Sequence, residues 1–181
     1  MPGSWFSRCL AGVLLAAVSS ATGAEIPEYR LKAELMERFT RFIDWPAGKG
    51  DDDTVFRICV YQSNPFGASL DEMAASRKIK NRPADVAIVS RVTDLESCRI
   101  LFIPTSAGES LDKILLRTKD NPILTVADTP GFGERGVLIN FFLQQENVRF
   151  EINEGSLRKS GLEMSSRLLK LARILPGEEH R

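Results

Sequence analysis

Four short runs of almost continuous apolar residues, separated by helix-like or turn-like segments, constrain the fold more than any other feature of this chain. The runs are predicted strands at residues 55–61, 84–89, 99–103 and 122–126, and the clearest intervening helix is predicted at 108–117. Strands that are apolar on both faces belong to a sheet that is covered on both faces. The pattern therefore predicts a single α/β domain with a mainly parallel sheet and helices on both sides of it.

The pattern changes after the fourth strand. Residues 137–144 and 148–152 flank a short Gln145-Glu146-Asn147 turn and should form an antiparallel hairpin. Alternation in its second strand predicts that Val148, Phe150 and Ile152 face the core and that Arg149 and Glu151 face solvent. A last helix is predicted at residues 166–175, with Ser165 as its N-cap.

An amphipathic helix is predicted at residues 29–46, before the first strand. Its apolar stripe recurs at helical spacing and comprises Leu31, Leu35, Phe39, Phe42 and Ile43. Asp44-Trp45-Pro46 should end the helix, because proline disfavours a helical residue before it. The opposite face is charged and comprises Arg30, Lys32, Glu34, Glu37, Arg38 and Arg41. All of these except Lys32 form a candidate contact surface for a partner or a second copy.

The N-terminus has the pattern of a secretory signal peptide. Arg8 precedes a short apolar run at residues 9–18, and small residues follow up to Ala24, the expected cleavage position, with Ala21 as the alternative. The run is shorter than the roughly 20 apolar residues that span a bilayer, and no other stretch predicts direct membrane insertion. We expect an exported, periplasmic protein with its domain at residues 25–176 and a disordered tail at 177–181.

Two cysteines remain after signal removal, Cys59 in the first predicted strand and Cys98 before the third. An oxidising compartment favours a structural disulfide between them, and closing a loop of about 40 residues stabilises a fold by roughly 4 kcal/mol in the chain-entropy model. A redox-active pair and half of a zinc site are the other roles open to them. The absence of a CxxC arrangement and of a nearby histidine favours the disulfide.

Residues for catalysis, cofactor binding or nucleic-acid binding are sparse. The chain has 24 basic and 24 acidic side chains, which argues against the basic patch that nucleic acid requires. Residues 131–136 match G-x-G-x-x-G, but a strand-like run follows them where a dinucleotide site needs a helix, so a turn is the better interpretation. The one histidine, His180, lies in the polar tail. We therefore expect no enzyme, no metal site and no cofactor.

Seven segments in fixed order resemble the YfiR-like family of small periplasmic regulators. The segments read LKAELMERFTRFIDWP, FRICVYQSNPFG, CRILFIP, ILTVAD, VLINFFL, VRFEIN and GLEMSSRLLKLARIL, and the resemblance covers nearly all of residues 27–175. The resemblance implies an α/β domain that represses an inner-membrane diguanylate cyclase through its periplasmic sensor domain. Cyclic di-GMP, exopolysaccharide and biofilm formation would then fall. An outer-membrane or envelope-stress partner and a homodimer are further implied.

The resemblance also suggests site residues. Cys59 and Cys98 match a cysteine pair of such regulators, whereas a second pair found in some members has no counterpart between residues 131 and 152. The candidate partner- or ligand-binding residues are Arg149, Glu163, Ser165 and Arg167. The alternative function is a periplasmic small-ligand-binding sensor module for another membrane receptor, such as a histidine kinase.

Overall fold

A seven-stranded sheet forms the centre of the protein. The computed structural model describes residues 27–47 and 54–177, and its strands lie in the order β3-β2-β4-β5-β6-β7-β9. The first five strands in that order are mutually parallel, β7 is antiparallel to β6, and β9 is parallel to β7. The strands are β1 (Ile43–Asp44), β2 (Phe56–Tyr61), β3 (Ala84–Val89), β4 (Ile100–Ile103), β5 (Leu124–Ala127), β6 (Ile139–Gln144), β7 (Asn147–Asn153), β8 (Glu163–Met164) and β9 (Arg173–Leu175).

Five α-helices occur in the described residues, and they lie on both sides of this sheet together with three 3₁₀ segments. The helices are α1 (Glu28–Phe39), α2 (Ser69–Ser76), α3 (Leu111–Thr118), α4 (Glu154–Ser160) and α5 (Ser166–Leu169), and the 3₁₀ segments are Thr40–Phe42, Val92–Ser97 and Thr105–Ser110. The α/β class, the parallel strands and the antiparallel hairpin are confirmed. The predicted signal peptide and residues 178–181 lie outside the described residues.

The sheet separates two apolar layers, as the continuous apolar strands predict. In β4, Ile100 and Phe102 join the layer under α1 and α2, while Leu101 and Ile103 join the layer under α3. All four residues of β4 are buried. Burial on both faces explains why β4 has no polar position.

A disulfide joins Cys59 to Cys98 on the α3 side of the sheet. Their Cα atoms are 5.7 Å apart. Cys59 lies in the middle of β2 and Cys98 follows the 3₁₀ segment Val92–Ser97, so the bond attaches that crossover to the sheet. The two residues are 0% and 2% exposed, so the bond is buried, which favours the structural role over the redox-active one.

Helix α1 is shorter than predicted and turned about its axis. It ends at Phe39, a 3₁₀ turn follows, and Ile43–Asp44 becomes strand β1. Of the charged face, Lys32 and Glu37 are buried, which corrects the prediction that both face solvent. The reason is that α1 is covered on a second side, where Arg77 at the end of α2 reaches Glu37.

The C-terminal segment differs most from the prediction. The expected helix at residues 166–175 stops at Leu169, and Arg173–Leu175 pairs with β7 as strand β9. Pairing with β9 provides hydrogen-bond partners for the backbone N–H and C=O groups at the edge of β7. This gain outweighs the helical pattern of the local sequence. Helix α4 and strand β8, which pairs with β1, were not predicted.

Replacing Cys59 and Cys98 by alanine should lower the free energy of unfolding of the disulfide-bonded protein by about 2–5 kcal/mol, because the open chain gains entropy in the unfolded state. Urea titration followed by circular dichroism measures the change. A thiol assay on the wild type in non-reducing denaturant is the matching control. Two free thiols there would contradict the Cys59–Cys98 bond.

Candidate functional site

Three of the four candidate binding residues lie together at the end of α1. Strand β8 pairs with β1, which places Glu163 opposite Asp44, and the Ser165 amide donates to the Phe42 carbonyl at 2.8 Å. Ser165 also caps α5, since its hydroxyl accepts from the Arg167 amide at 3.3 Å. We call this region the α1–β8 surface; it comprises Asp44, Glu163, Ser165 and Arg167, and Arg41 next to Phe42 in the chain.

The α1–β8 surface carries charged side chains that are exposed and can contact a partner. Among the described residues, Glu163 and Arg167 are exposed and form no ion pair. Asp44 pairs with Lys80 at 2.8 Å, but its side chain remains 78% exposed. Exposed charges of both signs give a protein partner specific contacts and discourage mismatched partners.

An ion network beneath this surface holds α1 in place. The side chain of Glu37 is 4% exposed and accepts hydrogen bonds from Arg41 at 3.0 Å and from Arg77 at 3.3 Å. Arg77 also pairs with Glu34 at 3.0 Å. A buried carboxylate bonded by two guanidinium groups is charge-compensated, so the network fixes the orientation of α1 relative to α2.

Arg149 lies elsewhere. Phe150 packs on Phe39 of α1, with ring centroids 4.8 Å apart, so alternation along β7 directs Arg149 to the other face of the sheet. Arg149 is exposed there. The structure therefore brings Glu163, Ser165 and Arg167 together and separates Arg149 from them.

A small cleft adjoins the α1–β8 surface. It has a volume of about 160 Å³ and is lined by Asp44, Trp45, Phe56, Lys80, Arg82 and Arg99. The indole N–H of Trp45 is buried without an acceptor in the described part of the chain. Buried donors are almost always hydrogen-bonded, so this N–H is an exception to that rule.

The prediction that Glu151 faces solvent is wrong. Its side chain is 2% exposed and accepts from Asn140 Nδ2 at 2.9 Å and from Arg173 Nε at 2.9 Å. The Arg173 guanidinium also lies over the Phe142 ring, 4.2 Å from its centroid. Glu151 is thus the polar contact that ties β9 to β7.

Glycine at position 133 makes room for Glu151. A Cβ atom built there would lie 2.4 Å from Glu151 Oε1, closer than real Cβ contacts allow. Gly131 and Gly136 have positive φ of 84° and 116°, so the glycine-rich segment is a tight loop between β5 and β6. The interpretation of this segment as a turn is confirmed.

No cluster of three or more histidine, cysteine or acidic side chains able to hold a metal ion occurs among residues 27–47 and 54–177. No helix in these two ranges is long and apolar enough to cross a membrane.

Comparison with known proteins identifies the family. A family model described as YfiR/HmsC-like matches residues 29–173, which is most of the chain. The chain belongs to the YfiR/HmsC-like family. The match includes the α1–β8 surface and confirms the resemblance seen in the sequence. A search of curated proteins found no match.

Two solved structures share the fold of this family member. One is a conserved domain protein from Vibrio cholerae O1 biovar El Tor strain N16961, with a TM-score of 0.52 and 9% identity. The other is an ABC domain in complex with L-Trp from Streptococcus pneumoniae, with a TM-score of 0.53 and 10% identity. Each match covers 81% of this chain and 60% of the other chain. Identities this low support the fold alone.

Replacing Glu151 by alanine should lower the free energy of unfolding by about 2–3 kcal/mol, because Asn140 is left buried without its acceptor and Arg173 loses its partner. Chemical denaturation measures the loss. Glu154→Ala is the matched control, since within the described part of the chain that exposed side chain pairs only with Arg158 on the same helix. Equal stabilities of the two variants would contradict a structural role for Glu151.

Proposed function

We propose that this protein is a periplasmic regulatory binding protein that represses an inner-membrane diguanylate cyclase through the periplasmic sensor domain of that enzyme. Cyclic di-GMP falls as a result, and exopolysaccharide and biofilm output fall with it. Membership of the YfiR/HmsC-like family is the observation that carries the proposal. The disulfide is compatible with an oxidising compartment.

Repression by binding has a simple thermodynamic requirement. The regulator has to bind the inactive conformation of the cyclase more tightly than the active one, because equal affinity for the two shifts no equilibrium. A rigid binding surface serves this requirement, since a flexible one adapts to both conformations. The Glu37 network beneath α1 provides rigidity of this kind.

We assign cyclase binding to the α1–β8 surface, with Glu163, Ser165 and Arg167 at its centre. These residues are contiguous and partly or fully exposed, and two of them carry unpaired charges among the described residues. Arg149 belongs to a different face, where it is a candidate for a second contact, such as an envelope-stress partner or a second copy of the chain.

Deleting the gene should raise cellular cyclic di-GMP, and the purified exported protein should bind the isolated periplasmic domain of a membrane diguanylate cyclase from the same organism. Mass-spectrometric quantification and biolayer interferometry measure the two effects. Unchanged cyclic di-GMP together with no binding to any such cyclase domain would refute the proposal.

Reversing the charges at Glu163 and Arg167 (Glu163→Lys with Arg167→Glu) should weaken cyclase binding by about tenfold, because complementary charges become repulsive. Lys113→Glu, an exposed charge reversal on α3, is the matched control and should bind as the wild type does. Cyclase binding by Arg149→Glu tests separately whether the opposite face of the sheet contributes to affinity. The double reversal leaves the net charge of the protein unchanged, so equal weakening by Lys113→Glu would show that the loss of affinity is not specific to the α1–β8 surface.

The second candidate function is a small-ligand sensor module for another membrane receptor such as a histidine kinase. The small cleft favours it, because Trp45 lines it together with Lys80, Arg82 and Arg99 and so places an aromatic ring beside cationic side chains. The Streptococcus pneumoniae domain of similar fold was solved with L-Trp. A metabolite retained in native mass spectrometry, and lost on Trp45→Phe substitution, would favour this function if cyclase binding is absent.

A further inference from the structure

Strand β6 has an uncovered edge near its C-terminal end. Its partner β5 pairs with it only at Val126–Ile139 and Ala127–Asn140, whereas β6 continues to Gln144 alongside β7. Over residues 141–144, no strand of the described chain lies on the side of β6 that faces away from β7. Such an edge presents unpaired backbone N–H and C=O groups.

This edge lacks the usual protection against strand pairing. Native edge strands are commonly blocked by lysine, proline or a bulge, but the uncovered residues are Phe141, Phe142, Leu143 and Gln144. Leu143 is 55% exposed. The edge therefore combines free backbone groups with an apolar side chain able to bury further surface.

A cleft of about 480 Å³ runs along the same edge. Its walls come from β6, from the loop after β5, from the first turns of α1 and from the start of the 3₁₀ segment Thr105–Ser110; the lining residues are Glu28, Tyr29, Lys32, Thr105, Asp128, Pro130, Phe141, Phe142 and Leu143. The cleft thus joins the edge of β6 to the N-terminal end of α1.

The charges lining the cleft are unbalanced. Lys32 is 4% exposed and its ammonium pairs with both Asp128, at 2.7 Å, and Glu28, at 2.5 Å. Two carboxylates thus share one ammonium. The Asp128 side chain is 6% exposed and that of Glu28 is 42% exposed, so Glu28 is the carboxylate accessible to an added cation.

Tyr29 reinforces this arrangement. Burial, and then its hydrogen bond to Asp128, raise the pKa of the Tyr29 hydroxyl well above its usual value. The hydroxyl stays protonated and donates to Asp128. Asp128 is therefore satisfied by Lys32 and Tyr29, and the excess negative charge is left at Glu28, at the mouth of the cleft.

We propose that residues 141–144 of β6 bind an extended peptide segment of a partner protein as an added strand, with an apolar side chain against Leu143 and a lysine or arginine side chain beside Glu28. Main-chain hydrogen bonds supply affinity in this mode of recognition, and alternate side chains supply specificity. The inference does not depend on the partner being a cyclase.

Selection from a phage-displayed library of linear decapeptides on the immobilised exported protein tests this site. The enriched sequences should alternate apolar residues with at least one lysine or arginine. Synthetic versions should bind about tenfold more weakly to Leu143→Glu and about fivefold more weakly to Glu28→Gln. The matched controls Leu116→Glu, a 71% exposed leucine on α3, and Asp120→Asn should bind as the wild type does.

Hydrogen–deuterium exchange distinguishes strand addition from other modes of binding. A bound peptide should slow exchange of the amides at residues 141–144 and leave α3 unchanged. Failure to enrich any peptide, enrichment of acidic peptides, or equal binding to Leu143→Glu and Leu116→Glu would overturn the proposal. A wild-type dimer that becomes monomeric on Leu143→Glu substitution would also overturn it, by assigning the edge to a second copy. Thermal unfolding of each variant confirms that it is folded.

Discussion

A parallel sheet buried on both faces is the constraint on which the remaining structure depends. Strand β4 has no exposed residue, so one apolar layer has to cover each of its faces. Helices α1 and α2 supply one layer, and α3 with the adjoining 3₁₀ segments supplies the other. The Cys59–Cys98 bond lies in the second layer, where the crossover into β4 is a short 3₁₀ segment with few apolar side chains of its own.

Polar side-chain contacts stabilise the edge of the sheet at β7 and β9. Glu151, Asn140 and Arg173 attach the three-residue strand β9 to β7, and β9 shields an edge of β7 that would otherwise be free. Glycine at position 133 is required for this contact, because any side chain would collide with Glu151. The same C-terminal segment carries Glu163, Ser165 and Arg167, so its attachment at β9 also positions the α1–β8 surface.

Sequence patterns predicted the parts of the fold that are determined locally. Apolar runs and turn residues predicted the parallel strands and the β6–β7 hairpin. The disulfide was expected because the signal-peptide pattern predicts export to an oxidising compartment. The segment 166–175 was misassigned because its leucines have helical spacing, whereas pairing with β7 and the Glu151–Arg173 contact are long-range. No local sequence pattern predicts that Glu151 is buried. Helix α4 does have local sequence signals, an asparagine N-cap at Asn153 and a glycine after its last turn, Gly161, which adopts the left-handed conformation.

The candidate binding residues show the same division. Capping by Ser165 was predicted from its place before a helix. The proximity of Glu163 and Asp44 depends on the β1–β8 pairing, and strands of two residues are too short to be predicted from the sequence.

We propose that the protein lowers cyclase activity by binding. The most direct measurement is the rate of cyclic di-GMP synthesis by a full-length membrane cyclase in nanodiscs, titrated with the exported protein. Repression by binding predicts a saturable fall in rate, and an unchanged rate at saturating binding would contradict this mechanism.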